Sequence, residues 1–258
     1  MTLAKRQKIV ITCFLLSLSL YFFPFAAQET QIWLLVAIII ASYILSVWSI
    51  FRDVSGFEFL TLFVLPVFLT ASFALLIFNF EPENFVRATL AIVYGVVMYI
   101  ILLSENIFNV SAERNIPLIR AANTVSYLGT LFVSFAIFSM LFGLGLDFWL
   151  FSIIATVVGV LLFTQSLWNI ELEETPSPQI TVNSFVSAII LGQIALALTF
   201  LPLDPAKVGL ALTATVYVLL GIIQHQMKGD LSRNTILEYL FVALAVFIFL
   251  VVTTSWRG

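Results

Sequence analysis

Nine nearly unbroken apolar runs constrain what this chain can fold into more than any other feature. They cover residues 9–27, 32–50, 59–79, 87–104, 119–142, 148–168, 183–203, 207–225 and 236–255. Each approaches the ~20 residues that an α-helix needs to cross hydrocarbon at 1.5 Å per residue. Lipid offers the backbone no hydrogen-bond partners, and the runs are too long for barrel strands, so helices are the form that fits. The expectation is all-α: a polytopic transmembrane helix bundle, one integral membrane domain over 1–258 with no soluble domain. Composition points the same way, with 62% of residues hydrophobic and 10% charged. Soluble domains average about 45–50% and about 25%. Too few polar residues remain to cover a water-facing globule.

The breaks between runs are short and hold nearly all the charge. Among them are RDVSG at 52–56, EPEN at 81–84, the acidic ELEETPSPQ at 171–179, DPAK at 204–207 and KGDLSRN at 228–234. Basic residues favour the cytoplasmic side. With the N-terminus inside, the cytoplasmic segments hold Lys5, Arg6, Lys8, Arg52, Arg114, Arg120, Lys228 and Arg233, while the outer segments hold Arg87, Lys207 and Arg257. Sidedness is therefore expected to be N-in and C-out, in a cell membrane of the bacterial inner-membrane type. The start, MTLAKRQK ahead of ITCFLLSLSLYFFPFAA, also resembles a signal peptide. Phe25 or Pro24 spoils each cleavage register around Ala26 and Ala27; cleavage would leave eight helices without changing the sidedness of the rest.

Several function classes lose support here. A net charge of −3 gives no basic surface for nucleic acid. The single cysteine, Cys13, excludes an intrachain disulfide, and one cysteine with one histidine, His225, cannot build a Cys/His metal site. No cofactor is called for. Neither H-E-x-x-H nor G-x-S-x-G occurs, and no repeat relates the two halves. Every Asp, Glu, Lys and Arg falls at or near the end of an apolar run, which argues against a proton relay or an aspartyl pair at depth. His225, between Gln224 and Gln226 at a helix end, reads as an interfacial polar residue. Trp33, Trp48, Trp149, Trp168 and Trp256 all lie near run ends, where indole rings anchor at headgroup level.

Residues 103–130, LSENIFNVSAERNIPLIRAANTVSYLGT, depart from this pattern. Glu105 and Asn106 are read as closing the fourth helix, and Pro117 as suiting the start of the fifth. Between them the apolar Ile107, Phe108 and Val110 alternate with polar Asn109, Ser111, Glu113, Arg114 and Asn115, the pattern of a segment lying in the interface plane. Glu105 or Glu113 could pair with Arg114 or Arg120. Polarity then continues inward: Arg120, Asn123, Tyr127, Thr130 and Ser134 step by three or four and share one helix face. Interhelical hydrogen bonds, at roughly 0.6 kcal/mol each, explain such a stripe. A polar cavity for a ligand or lipid headgroup, or an interface with another subunit, would use the same residues.

The cluster NIFNVSAERNIPLIRAA resembles segments in a family of polytopic bacterial membrane proteins of unknown function. The resemblance implies no activity. Elsewhere, Gln193 in the seventh run is expected to bond across to a neighbour, since an unpaired amide is costly there. Ala155 with Gly159, and Ala188 with Gly192, are small pairs that let helices approach closely. The acidic ELEETPSPQ connection is free to meet a soluble cytoplasmic partner.

Apart from the lipid bilayer itself, the partners expected are therefore other membrane subunits or a soluble protein. The first functional expectation is a non-catalytic subunit or scaffold of a larger assembly. The second is a transporter or lipid-handling protein with a cytoplasm-facing cavity beside Arg120, Asn123 and Tyr127. The third is an enzyme on a lipid-linked substrate, with Glu29, Glu81, Glu83 or Asp204 as outer acids.

Overall fold

The computed structural model describes residues 4–50, 56–111, 118–172 and 176–254. The chain is all-α, and among the described residues nine helices are long and apolar enough to cross a membrane. Two compact units divide it: Met1–Gly129 with Leu172–Thr175, and Thr130–Glu171 with Pro176–Gly258.

The first unit holds α1 (Lys5–Phe22), α2 (Gln28–Ile50), the short α3 (Glu58–Thr61), α4 (Val64–Phe80), α5 (Asn84–Ser111) and the beginning of α6 (Ile119–Gly143). Local chemistry sets the ends. Pro24 breaks α1 into a 3-10 turn, Phe23–Phe25. After α4, Glu81 takes a left-handed conformation (φ 41°) and donates its N–H to the Ile77 carbonyl; Pro82 then cannot extend the helix. The span Phe59–Phe80, which α4 dominates, is the most covered, with 72% of its apolar window buried. It packs between α2 and α5, and α1 packs against both α2 and α5.

α5 runs through Ser111, beyond the expected end at Glu105 and Asn106. Those two residues do not stop it. Leu102, Glu105, Phe108 and Asn109 continue one buried face at helical spacing, and no Gly or Pro follows until Pro117. Twenty-eight residues span roughly 42 Å, more than the ~30 Å hydrocarbon layer.

The second unit holds the rest of α6, α7 (Phe148–Glu171), α8 (Pro178–Leu198), α9 (Pro205–Lys228) and α10 (Arg233–Thr253). Ser177 caps α8 by accepting from Ile180 N, ahead of Pro178 in the first turn. Ser232 caps α10 through Thr235 N at 3.1 Å, and Gly229 (φ 73°) ends α9. The two small-residue pairs meet across α7 and α8. A β-carbon on Gly159 would lie 2.8 Å from Leu191 Cδ2 and 3.3 Å from Ala188 Cβ, and one on Gly192 would overlap the Thr156 hydroxyl. Ser152 Oγ donates to the Gly192 carbonyl at 2.8 Å across the same contact. α9 approaches α6 as closely: a β-carbon on Gly209 would sit 2.9 Å from the Phe135 carbonyl oxygen. α10 packs on α9, with only 6% of its window buried.

Two expectations about single side chains change. Trp168 is fully buried rather than interfacial, whereas Trp33 and Trp149 are 75% and 51% exposed. Trp256 lies outside the described residues. Gln193 makes no hydrogen bond to a neighbouring helix among the described residues; it is exposed on α8, on the side of Ile189 and Ile190.

Candidate functional site

α5 concentrates the polar residues of the first unit on one face. Arg87, Tyr94, Met98, Leu102, Glu105 and Asn109 fall at helical spacing and are all buried. Arg87, in the first turn of α5, and Glu105, just past the apolar run 87–104, thus lie near the run's ends as expected but are turned into the protein. Midway, the Thr70 hydroxyl donates to the Pro66 carbonyl at 2.8 Å. Its oxygen lies 2.8 Å from Tyr94 Oη, so Tyr94 donates to it. Ser104 Oγ ties α5 to α6 by donating to the Ala122 carbonyl at 3.1 Å. The Asn109 amide has no hydrogen-bond partner among the described residues.

The expected site separates into parts. Glu113, Arg114 and Asn115 lie outside the described residues, and with them the pairings that use Glu113 or Arg114. The first half of the expected interfacial segment, through Ser111, is instead the end of α5, with Phe108 and Asn109 buried. Glu105 is buried, Asn106 half-buried. Arg120 is exposed and makes no ion pair among the described residues. Along α6, exposure falls from Arg120 through half-buried Asn123 and Tyr127 to buried Thr130 and Ser134. Arg120, Asn123 and Tyr127 belong to the first unit, Thr130 and Ser134 to the second. Ser134 Oγ donates to the Thr130 carbonyl at 2.6 Å, so the helix itself satisfies this hydroxyl. His225 Nδ1 lies 2.9 Å from Asp230 Oδ1, a local contact closing α9.

Two concave features of the first unit were not anticipated. The first is a groove of about 650 Å³ between α1 and α5. Cys13, Ser17, Ala91 and Gly95 form its floor; Phe14, Leu18, Ile92 and Val96 stand exposed along its rims. The floor is low because Gly95 has no side chain: a β-carbon there would meet Ser17 Oγ at 2.5 Å. Tyr21 and Ala88 line one end, Val10 and Tyr99 the other, so the helices run antiparallel. Beyond Tyr99, Arg6 Nε reaches its hydroxyl at 3.4 Å.

The second is a polar cavity of about 500 Å³ beside the Tyr21 end. Pro24, Gln28, Gln31, Phe78, Glu81 and Arg87 are among its lining residues. Arg87, only 6% exposed, stacks 4.5 Å from the Phe25 ring centre and 5.3 Å from that of Tyr21. Its Nη2 donates to Asn84 Oδ1. Nε has no acceptor, and no carboxylate lies within ion-pair distance among the described residues. A cation in the first turn of a helix also opposes the macrodipole. That conflict is the one signal in the sequence by which Arg87 could have been found.

The chain belongs to the DUF5656 family, proteins of unknown function, whose family model matches residues 14–253. This is in keeping with the resemblance carried by the NIFNVSAERNIPLIRAA cluster. No curated protein and no solved structure matches the chain.

Proposed function

We propose that this membrane protein handles lipid, holding one acyl chain in the groove between α1 and α5. The observation that carries this reading is the groove itself. From Val10 to Tyr21 it extends along α1 for roughly 16 Å at 1.5 Å per residue. One leaflet of a ~30 Å hydrocarbon core is about 15 Å deep, so groove and acyl chain are commensurate. Its walls are almost wholly apolar, and a polar cavity begins where it ends. On the N-in orientation favoured by the basic residues, that polar end lies in the outer leaflet. The polar face of α6 is assigned to helix packing.

Native mass spectrometry after gentle delipidation tests the reading. Wild type is expected to retain one lipid per chain. A Ser17→Ala/Gly95→Leu double substitution fills the floor while removing the hydroxyl that the new side chain would meet, and it should lose that lipid. Equal retention by both proteins refutes the assignment.

A second reading, a membrane subunit of a larger assembly, is favoured by Gln193. An amide facing hydrocarbon without a partner is costly, and a neighbouring protein would satisfy it. With Cys13 replaced by Ser, a Gln193→Cys substitution should form cross-links in membranes to another subunit or a second copy. Absence of any cross-linked product at that position removes this support.

A further inference from the structure

We propose that Arg87 binds the phosphate of the lipid whose chain lies in the α1/α5 groove, which makes the cavity beside it a headgroup site for anionic phospholipid. The inference rests on the lipid-handling reading above and specifies its ligand. Four observations lead to it. Arg87 is 94% buried by its 6% exposure and lines the cavity, yet among the described residues no carboxylate is close enough to neutralise it. Burying a charge is expensive unless an opposite charge meets it. Its Nε donor has no acceptor, while Nη2 is held by Asn84 and the guanidinium rests against the rings of both Phe25 and Tyr21. The fork is thus oriented with donors to spare, the geometry that suits bidentate contact with a phosphate.

The cavity is also continuous in chemistry with the groove. Tyr21 lines the groove and carries Arg87 on its ring, so a phosphate at Arg87 stands at the end of a bound chain. Gln28 and Gln31 supply further polar contacts on the cavity wall; the Gln31 amide donates to the Ala26 carbonyl at 3.3 Å, leaving its oxygen as an acceptor for a headgroup hydroxyl. Glu81 is the one acidic residue lining the cavity among the described residues. Exposed and held in a left-handed turn, it lies beyond ion-pair distance from Arg87 and opposes anion entry without sealing the site.

The test compares dioleoyl phosphatidic acid with dioleoylglycerol, which share their chains and differ by the phosphate, in detergent micelles with the full-length protein. Binding is read by lipid retention in native mass spectrometry. Wild type is expected to prefer phosphatidic acid by roughly ten- to hundredfold, the range of a charge-assisted hydrogen bond. Arg87→Gln should erase that preference while dioleoylglycerol is still retained. Arg87→Lys keeps the charge but not the fork and should fall between; it also serves if the glutamine variant does not fold. Glu81→Gln should strengthen phosphatidic acid binding. A preference that survives Arg87→Gln overturns the inference, as does inorganic phosphate displacing phosphatidic acid at comparable concentration. If wild type retains neither lipid, it is the groove reading that fails.

Discussion

The close approach of α6 and α9 at Gly209 makes a quantitative prediction. Alanine at an interior helical glycine reduces the entropy lost on folding and gains about 0.5–1 kcal/mol when space allows. Space does not allow it at Gly209. The added carbon would sit 2.9 Å from a backbone oxygen, that of Phe135, and 3.0 Å from Ser139 Cβ. Neither is the end of a flexible side chain, so the helices must separate, and overpacking of this kind costs about 1–3 kcal/mol. Gly129, also in α6, is the control. There a β-carbon finds its nearest neighbours at 3.7 Å, Ile101 Cγ1 and Leu65 Cδ1, an ordinary contact. Gly129→Ala should therefore stabilise slightly and Gly209→Ala destabilise. The propensity term is common to both, so the difference between them isolates packing at about 1–3 kcal/mol, a roughly 5- to 150-fold change in unfolding equilibrium. Reversible unfolding by graded SDS in mixed micelles, followed by tryptophan fluorescence, measures it. If both variants unfold at the same SDS fraction, the α6/α9 contact carries no such constraint and the reasoning is wrong.

Other expectations follow from single contacts. Tyr94→Phe removes the donor to Thr70 but leaves Thr70 bonded to the Pro66 carbonyl, so the loss should be only about 0.6 kcal/mol in the same unfolding assay; a loss several times larger would mean that the hydroxyl pair organises more of the unit. Glu81→Gly should stabilise by about 1 kcal/mol, because Glu81 is exposed and occupies a left-handed conformation that glycine adopts without strain; unchanged stability would contradict the left-handed backbone geometry of that turn. Ser232→Ala removes the α10 cap and should cost about 1 kcal/mol, visible as faster amide exchange over the first turn of α10; unchanged exchange there would show the cap to be inert.

The helical spans were legible in the sequence because hydropathy and length follow directly from the thickness of hydrocarbon. Their ends were less so. Glu105 and Asn106 look like terminators when read along the chain, yet they sit on the buried face of α5, and a polar residue turned inward cannot be told from a helix end by composition alone. The same ambiguity hid Arg87, which falls where an interfacial arginine would be unremarkable. Its burial depends on Tyr21 and Phe25, more than 60 residues earlier in the chain, and no periodicity within α5 reports that pairing. The small pairs of α7 and α8 were recognisable because close packing demands small side chains at a four-residue interval, whichever helix they meet. Gln193 was misjudged for the opposite reason: cost alone suggests a partner within the chain, while the fold turns the amide outward.

The contrast between α4 and α10 bears on how this family can drift. A helix enclosed on nearly every side is restrained by volume, so exchanges at Leu65, Leu69 or Ala74 must preserve size and shape, not merely greasiness. A helix packed chiefly on one neighbour answers to a looser criterion, and Phe241, Leu244 or Val252 could be traded among aliphatic and aromatic types with little penalty. Saturation mutagenesis should accordingly reveal two grammars within one polypeptide, steric in the first case and solubility-based in the second.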